Sequence, residues 1–206
     1  RLQCGPAGTR VMVVTGPNMG GKSCYVRSVA TIALLAQIGS FVPAERAVLS
    51  PFDAIFTRMG ASDDLEFGRS TFFTEASQAA DILRHASSRS LLLLDELGRG
   101  TATHDGTALA HATLLHVARR LRAPTLFVTH YPEIRALADR EGSVGGSLTG
   151  EIANVHMAFL EDDVPSTSLG PEPSLASRSG RITFLYRLVR GAARARAASR
   201  ARGEAP

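Results

Sequence analysis

Residues 16–23 read Gly-Pro-Asn-Met-Gly-Gly-Lys-Ser, residues 95 and 96 are Asp-Glu, and residue 130 is the histidine of a Thr-His-Tyr run. The first stretch fits Gly16-x-x-x-x-Gly21-Lys22-Ser23, the P-loop pattern. Its glycines let the backbone turn sharply and aim N–H groups inward, where they and a following helix N-terminus can cradle phosphates. Lys22 is the one lysine among 23 basic residues. A compact ammonium on a flexible stem can reach β- and γ-phosphates from inside a tight turn, and a planar guanidinium cannot take the same position. Gly16, Pro17, Asn18, Met19, Gly20, Gly21, Lys22 and Ser23 are therefore the candidate ATP-binding residues.

The Ser23 hydroxyl suits Mg²⁺, and Asp95 suits the carboxylate on the metal side. Glu96, immediately after, is placed to orient or deprotonate an attacking water. A solvated strand end would also account for an Asp-Glu pair. His130 could sense the γ-phosphate or the attacking water, or be a packed or capping residue.

These residues need elements to hold them. Residues 10–15, "RVMVVT", read as a short buried strand, and apolar residues at helical spacing from Gly21 to Ile38 predict a helix that Gly39 stops. Strands are expected at 52–57, 90–95, 124–129, 152–160 and 182–187, with helices over 71–86, 105–121 and 132–138. Alternating strands and helices predict an α/β sheet with right-handed crossovers and ligands at the strands' carboxyl ends. Thr15, Asp95 and His130 all fall at such ends.

The chain's 206 residues, 44% of them hydrophobic, suffice for one sizeable domain. No apolar run reaches the ~18 residues that would cross a membrane. Cys4 and Cys24 suggest neither a disulfide framework nor a metal site. The net charge of +4 is a property of the tail: residues 178–206 hold eight arginines and one acid. That tail could touch nucleic acid, or it could be a disordered Ala/Arg-rich end. A start at Arg1 suggests a fragment.

The stretches "TGPNMGGKS", "FGRSTF", "LLLLDELGRGTATHDG" and "FVTHYPEI" occur in the order and spacing of the MutS mismatch-repair ATPases, which they resemble. The similarity covers residues 10–160 and resumes at 182–193. Within the family, "GKSCYVR" and "FTRMGASD" look most like the eukaryotic MutS homologue 3 type. The resemblance implies an α/β P-loop NTPase fold, ABC-ATPase-like, with a mostly parallel sheet flanked by helices. The expected domain is 1–193 with a mobile loop at about 161–180, followed by a divergent, disordered tail at 194–206.

The resemblance also implies roles. Gly16 to Ser23 bind ATP, Ser23 and Asp95 hold Mg²⁺, Glu96 is the catalytic carboxylate and His130 the switch histidine. Asn18 would sit near the γ-phosphate. Ser70 matches a signature serine that acts in trans on a partner's ATP, although a helix N-cap explains it too. Residues 98–106 resemble a loop along the dimer interface. Tyr186 falls where the family places a residue near the adenine, and a core or edge-strand tyrosine is the alternative.

Implied partners are a MutS homologue 2-type subunit and mismatched or insertion-deletion-loop DNA, the DNA being held by family regions that this chain lacks. A nuclear location follows from the subtype. Departures are Ala102 in place of a hydroxyl residue, "FFTEA" at 72–76 in place of a more acidic stretch, and the tail from Arg194, which looks like a truncation or a wrongly joined sequence. They leave an alternative: a non-catalytic fragment that binds ATP or a partner.

Overall fold

The computed structural model describes residues 9–59, 71–142, 148, 150–161, 182–191 and 196–197. The expected mobile loop (apart from Glu161), Ser70 and most of the tail lie outside these residues.

The elements run β1 (Val11–Thr15), α1 (Lys22–Gln37), β2 (Ile55–Arg58), α2 (Thr71–His85), β3 (Leu91–Asp95) and α3 (Thr103–His116). A π-helical turn, Val117–Leu121, extends α3. Then come β4 (Thr125–Val128), α4 (Pro132–Gly142), β5 (Ile152–Glu161), β6 (Ile182–Arg190) and β7 (Arg196–Ala197). The sheet order is β2-β3-β4-β1-β5-β6. The first five of these strands are parallel, and β6 runs antiparallel to β5. Two residues of the tail, Arg196 and Ala197, pair with Leu160 and Glu161. The result is the expected α/β architecture with a mostly parallel sheet flanked by helices.

The unbroken apolar strands have a simple cause: both faces of the sheet are covered. Val11 and Val13 of β1, with Leu92 and Leu94 of β3, pack on one face against Ala110, Leu114, Ile134 and Leu137 of α3 and α4. Met12, Val14, Leu91 and Leu93 point the other way, against Val26 and Ala33 of α1. Alternation along each strand therefore divides the apolar residues between two cores rather than between core and water.

Helix α1 ends as expected. Gly39 takes φ +75°, and Ser40 N–H bonds back to Leu35 O at 2.9 Å. In the sheet, β4 lies between β3 and β1, so the segments leaving all three strands meet at one edge.

Candidate functional site

At that edge residues 16–21 leave β1 and enter α1. Gly21 is the N-cap with φ +88°; no side chain caps the helix, and its first turn holds no acid. Its leading N–H groups and positive dipole end are thus left for an anion. Lys22 is buried, and its Nζ donates to the carbonyls of Gly16 (3.0 Å) and Pro17 (3.1 Å). An ammonium has three N–H donors, so one remains to be shared with a phosphate. Burial lowers the Lys22 pKa, an effect that the charges of Glu96 and Asp95 oppose without cancelling. Asn18 and Met19 are exposed at the loop tip, with Met19 at φ +65°.

The next residue, Ser23, faces β3: its Oγ donates to Asp95 Oδ2 at 2.6 Å. Asp95 is 6% exposed, and its Oδ1 is buried with no hydrogen-bond partner among the described residues. A buried carboxylate oxygen without a donor is costly unless a cation meets it. A hydroxyl and one carboxylate also suit Mg²⁺, which keeps several waters and takes few protein ligands. Ser23 and Asp95 therefore fit the ion that the sequence suggested for them.

Glu96 leaves the strand at φ +53°, a left-handed conformation unusual for a residue with a Cβ, and its N–H bonds to Val128 O at 3.0 Å. Its Oε1 accepts from His130 Nε2 at 2.7 Å, and its Oε2 is paired with Arg99. Burial pushes the Glu96 pKa up, but the bonds and charge of His130 and Arg99 outweigh it and the net shift is downward. A cleft of about 260 Å³, lined among others by Thr15, Gly16, Pro17, Thr129 and His130, opens beside the loop. An uncapped helix N-terminus, a hydroxyl–carboxylate pair suited to a metal and an ionised carboxylate held by a histidine thus share one sheet edge.

The sequence matches the family model described as MutS domain V over residues 12–197. The chain belongs to the MutS family. It is 48% identical over 184 residues to the DNA mismatch repair protein MSH3 of Arabidopsis thaliana, which covers 89% of this chain. It is 57% identical over 155 residues to that of Phaeosphaeria nodorum (75% of this chain). It is 48% identical over 185 residues to human Msh3 (89% of this chain). Within the MutS family it is most like this MSH3 type. It spans 16%, 13% and 15% of those three relatives' lengths, respectively.

Within this MutS domain V, the structure brings together residues 16–23, Asp95, Glu96 and His130, while Ser70 lies outside the described residues. Tyr186 is no core residue, being 66% exposed. Between the pairs Met157–Leu188 and Phe159–Phe184 the β5–β6 register shifts, and there Tyr186 takes φ +50°. This bulge turns the ring toward the loop 16–23: a Cβ placed on Gly21 would stand 3.0 Å from Tyr186 Cδ1.

Sequence reasoning missed Glu75, Arg58 and Tyr131. Glu75 and Arg58 form an ion pair at 2.7 Å with both side chains 3% exposed. Tyr131 donates its hydroxyl to Gly98 O at 2.8 Å. A signal for Glu75 exists: it stands four and seven residues before the buried Ala79 and Ile82, an acid on the apolar stripe of α2.

Proposed function

We propose that this domain binds and hydrolyses Mg-ATP as a P-loop, ABC-ATPase-like motor of a DNA mismatch-repair protein. The observation that carries the reading is the Ser23–Asp95 hydrogen bond of 2.6 Å beside Asp95 Oδ1, which is buried and lacks a hydrogen-bond partner among the described residues. It joins the loop 16–23 to the strand end that carries Glu96.

The residues divide the work. The N–H groups of the loop and of the start of α1 bind the phosphates, and Lys22 supplies charge. Ser23 and Asp95 would hold Mg²⁺, which when bound neutralises charge on the phosphate oxygens. Glu96, kept ionised, has lone pairs left with which to orient a water for in-line attack. His130 holds Glu96 and faces the same edge, where it can respond to the γ-phosphate. Tyr186 stands at the mouth of the loop, where a nucleotide base could stack on its ring.

By the family resemblance, Ser70 completes the site of a partner subunit, a MutS homologue 2-type chain, and hydrolysis lets that pair relax. Closing and opening would switch a clamp on mismatched or insertion-deletion-loop DNA, held by regions this chain does not span, in the nucleus. Among the described residues no helix is long and apolar enough to cross a membrane.

The test is ATP binding by calorimetry and steady-state hydrolysis by the chain, alone and mixed with a homologue 2-type ATPase domain. Binding alone, with turnover appearing on mixing, supports a site completed in trans. Absence of ATP binding by the folded chain overturns the reading.

A further inference from the structure

Glu75 takes no part in the phosphate loop, yet it grips the segment that follows Glu96. Its residue exposure is 2%. Oε1 meets Arg58 Nη2 at 2.7 Å, while Oε2 accepts the N–H groups of Gly98 (3.1 Å) and Gly100 (3.4 Å). Arg58, at the end of β2, compensates the buried charge and leaves the second oxygen to the glycines. From the other side Tyr131, next to His130, donates to Gly98 O at 2.8 Å. Below, the loop rests on the start of α3: a Cβ on Gly98 would come within 2.5 Å of Gly106 O. Glu75, Tyr131 and the start of α3 thus hold one residue, two positions beyond Glu96.

The grip matters because of where Glu96 stands. Its φ of +53° is a conformation that persists only when the surroundings over-determine it. Arg99, which pairs with Glu96, sits between the two glycines that Glu75 holds. We propose that Glu75 is a positioning residue for Glu96, fixing the 97–100 segment by accepting two backbone hydrogen bonds. Through it α2 and the end of β2 are tied to the Glu96 carboxylate. The inference rests on the catalytic reading of Glu96.

Two double variants test it. Arg58→Met/Glu75→Gln and Arg58→Met/Glu75→Met both remove the ion pair together, which avoids stranding a buried charge. Only the first keeps a carbonyl acceptor for the glycines. Slow amide exchange at Val13, Leu93 and Leu126 reports that the core is folded. In the Met variant the Gly98 and Gly100 amides are expected to exchange on the order of tenfold faster than in the Gln variant. Its kcat is expected to be about 10- to 100-fold lower than that of the Gln variant, with the same KM for ATP.

Equal exchange at the two glycines, or equal kcat, overturns the proposal. So does a kcat loss that tracks global stability rather than glycine exchange. If the unmutated chain has no ATPase activity even with its partner, the catalytic reading fails, and glycine exchange still decides whether Glu75 holds the loop. Should the Met variant not fold, Glu75→Asp replaces it. Asp keeps the charge opposite Arg58 and withdraws the oxygen by one methylene, so the same faster exchange and lower kcat are expected relative to Glu75.

Discussion

Ser23 Oγ lies 2.6 Å from Asp95 Oδ2, a contact between residues 72 apart in sequence that fastens the loop 16–23 to β3. The other oxygen of Asp95 is buried without a hydrogen-bond partner among the described residues. A cation there would remove a desolvation cost as well as serve chemistry. Asp95→Asn keeps the shape and removes the charge. ATP affinity and turnover of the unmutated protein should rise on adding Mg²⁺ and collapse with a chelator. The Asn variant should lose most of that response, with turnover lower by at least about 100-fold, since a bound metal contributes several kcal/mol to such a step. A titration of ATP binding against Mg²⁺ checks it, and an unchanged Mg²⁺ response in the variant removes Asp95 from the metal.

Glu96 offers a cleaner separation of binding from turnover. Its substitution by alanine leaves the loop 16–23 and the Ser23–Asp95 contact in place, so ATP should still bind. Turnover should fall by about 10²- to 10⁴-fold, the usual worth of a positioned base. A non-catalytic fragment would show no turnover before or after the change. The same carboxylate carries a pH signature. Its folded-state pKa lies below the ordinary 4.5, so it contributes stability that is present above 4.5 and lost as pH falls through the lowered value. The stability difference between the unmutated chain and Glu96→Gln, from urea melts across the acid range, should shrink in that window. A difference that grows on acidification would contradict the lowered pKa.

The strands and helices were readable where burial is two-sided or a glycine marks an end. "LLLLD" and "VMVVT" are strands because alternate residues serve two cores, and Gly39 stops α1 with a positive φ. The start of β2 was not readable: it begins at Ile55 rather than Phe52. Phe52 N–H is taken by the Gln37 side chain at 2.7 Å, and Asp53 accepts from Ser87 and Ser90, so side chains replace the ladder there. The π turn 117–121 left no periodic trace, because its residues stay apolar-periodic with α3. Around the candidate site, side-chain type and spacing marked Lys22, Ser23, Asp95 and Glu96. The left-handed φ of Tyr186 and the reach of Glu75 depend on contacts between distant segments, which no local pattern records.

Lys22 yields a prediction in the alkaline range. Its pKa is lowered chiefly by burial, so it loses its charge at a lower pH than the 10.5 of a free lysine. ATP affinity should therefore hold near neutrality and weaken as pH rises through that lowered value. Lys22→Arg would keep its charge throughout and lose the alkaline limb. It would also bind more weakly at neutral pH, because the guanidinium cannot make the bonds an ammonium makes within the loop. One charge-assisted hydrogen bond is worth about 1.5–3 kcal/mol, on the order of 10- to 100-fold in Kd. Calorimetric Kd values for both proteins across pH decide the matter, and equal neutral-pH affinities would reject the geometric account of the lone lysine.

Gly98 and Gly106 set a steric limit on the segment after Glu96. Gly98 takes φ +92°, and a Cβ there would stand 2.5 Å from Gly106 O and 2.7 Å from Gly106 Cα, both of them backbone. A Cβ on Gly106 would in turn meet Gly98 O at 2.2 Å and Tyr131 Oη at 2.4 Å. Tyr131 could swing away, but the contacts between Gly98 and Gly106 cannot be relieved so, since the peptides themselves must part. Gly98→Ala should therefore cost at least about 1–3 kcal/mol for the backbone conformation alone, before the clash is counted. Gly150, also at positive φ (+77°), has nothing among the described residues within 4 Å of an added Cβ, so Gly150→Ala carries the conformational cost without a clash against them. Urea denaturation of the two variants should show Gly98→Ala the less stable. Equal midpoints would mean that the 97–100 segment yields freely, and with it the fixed placement of Glu96.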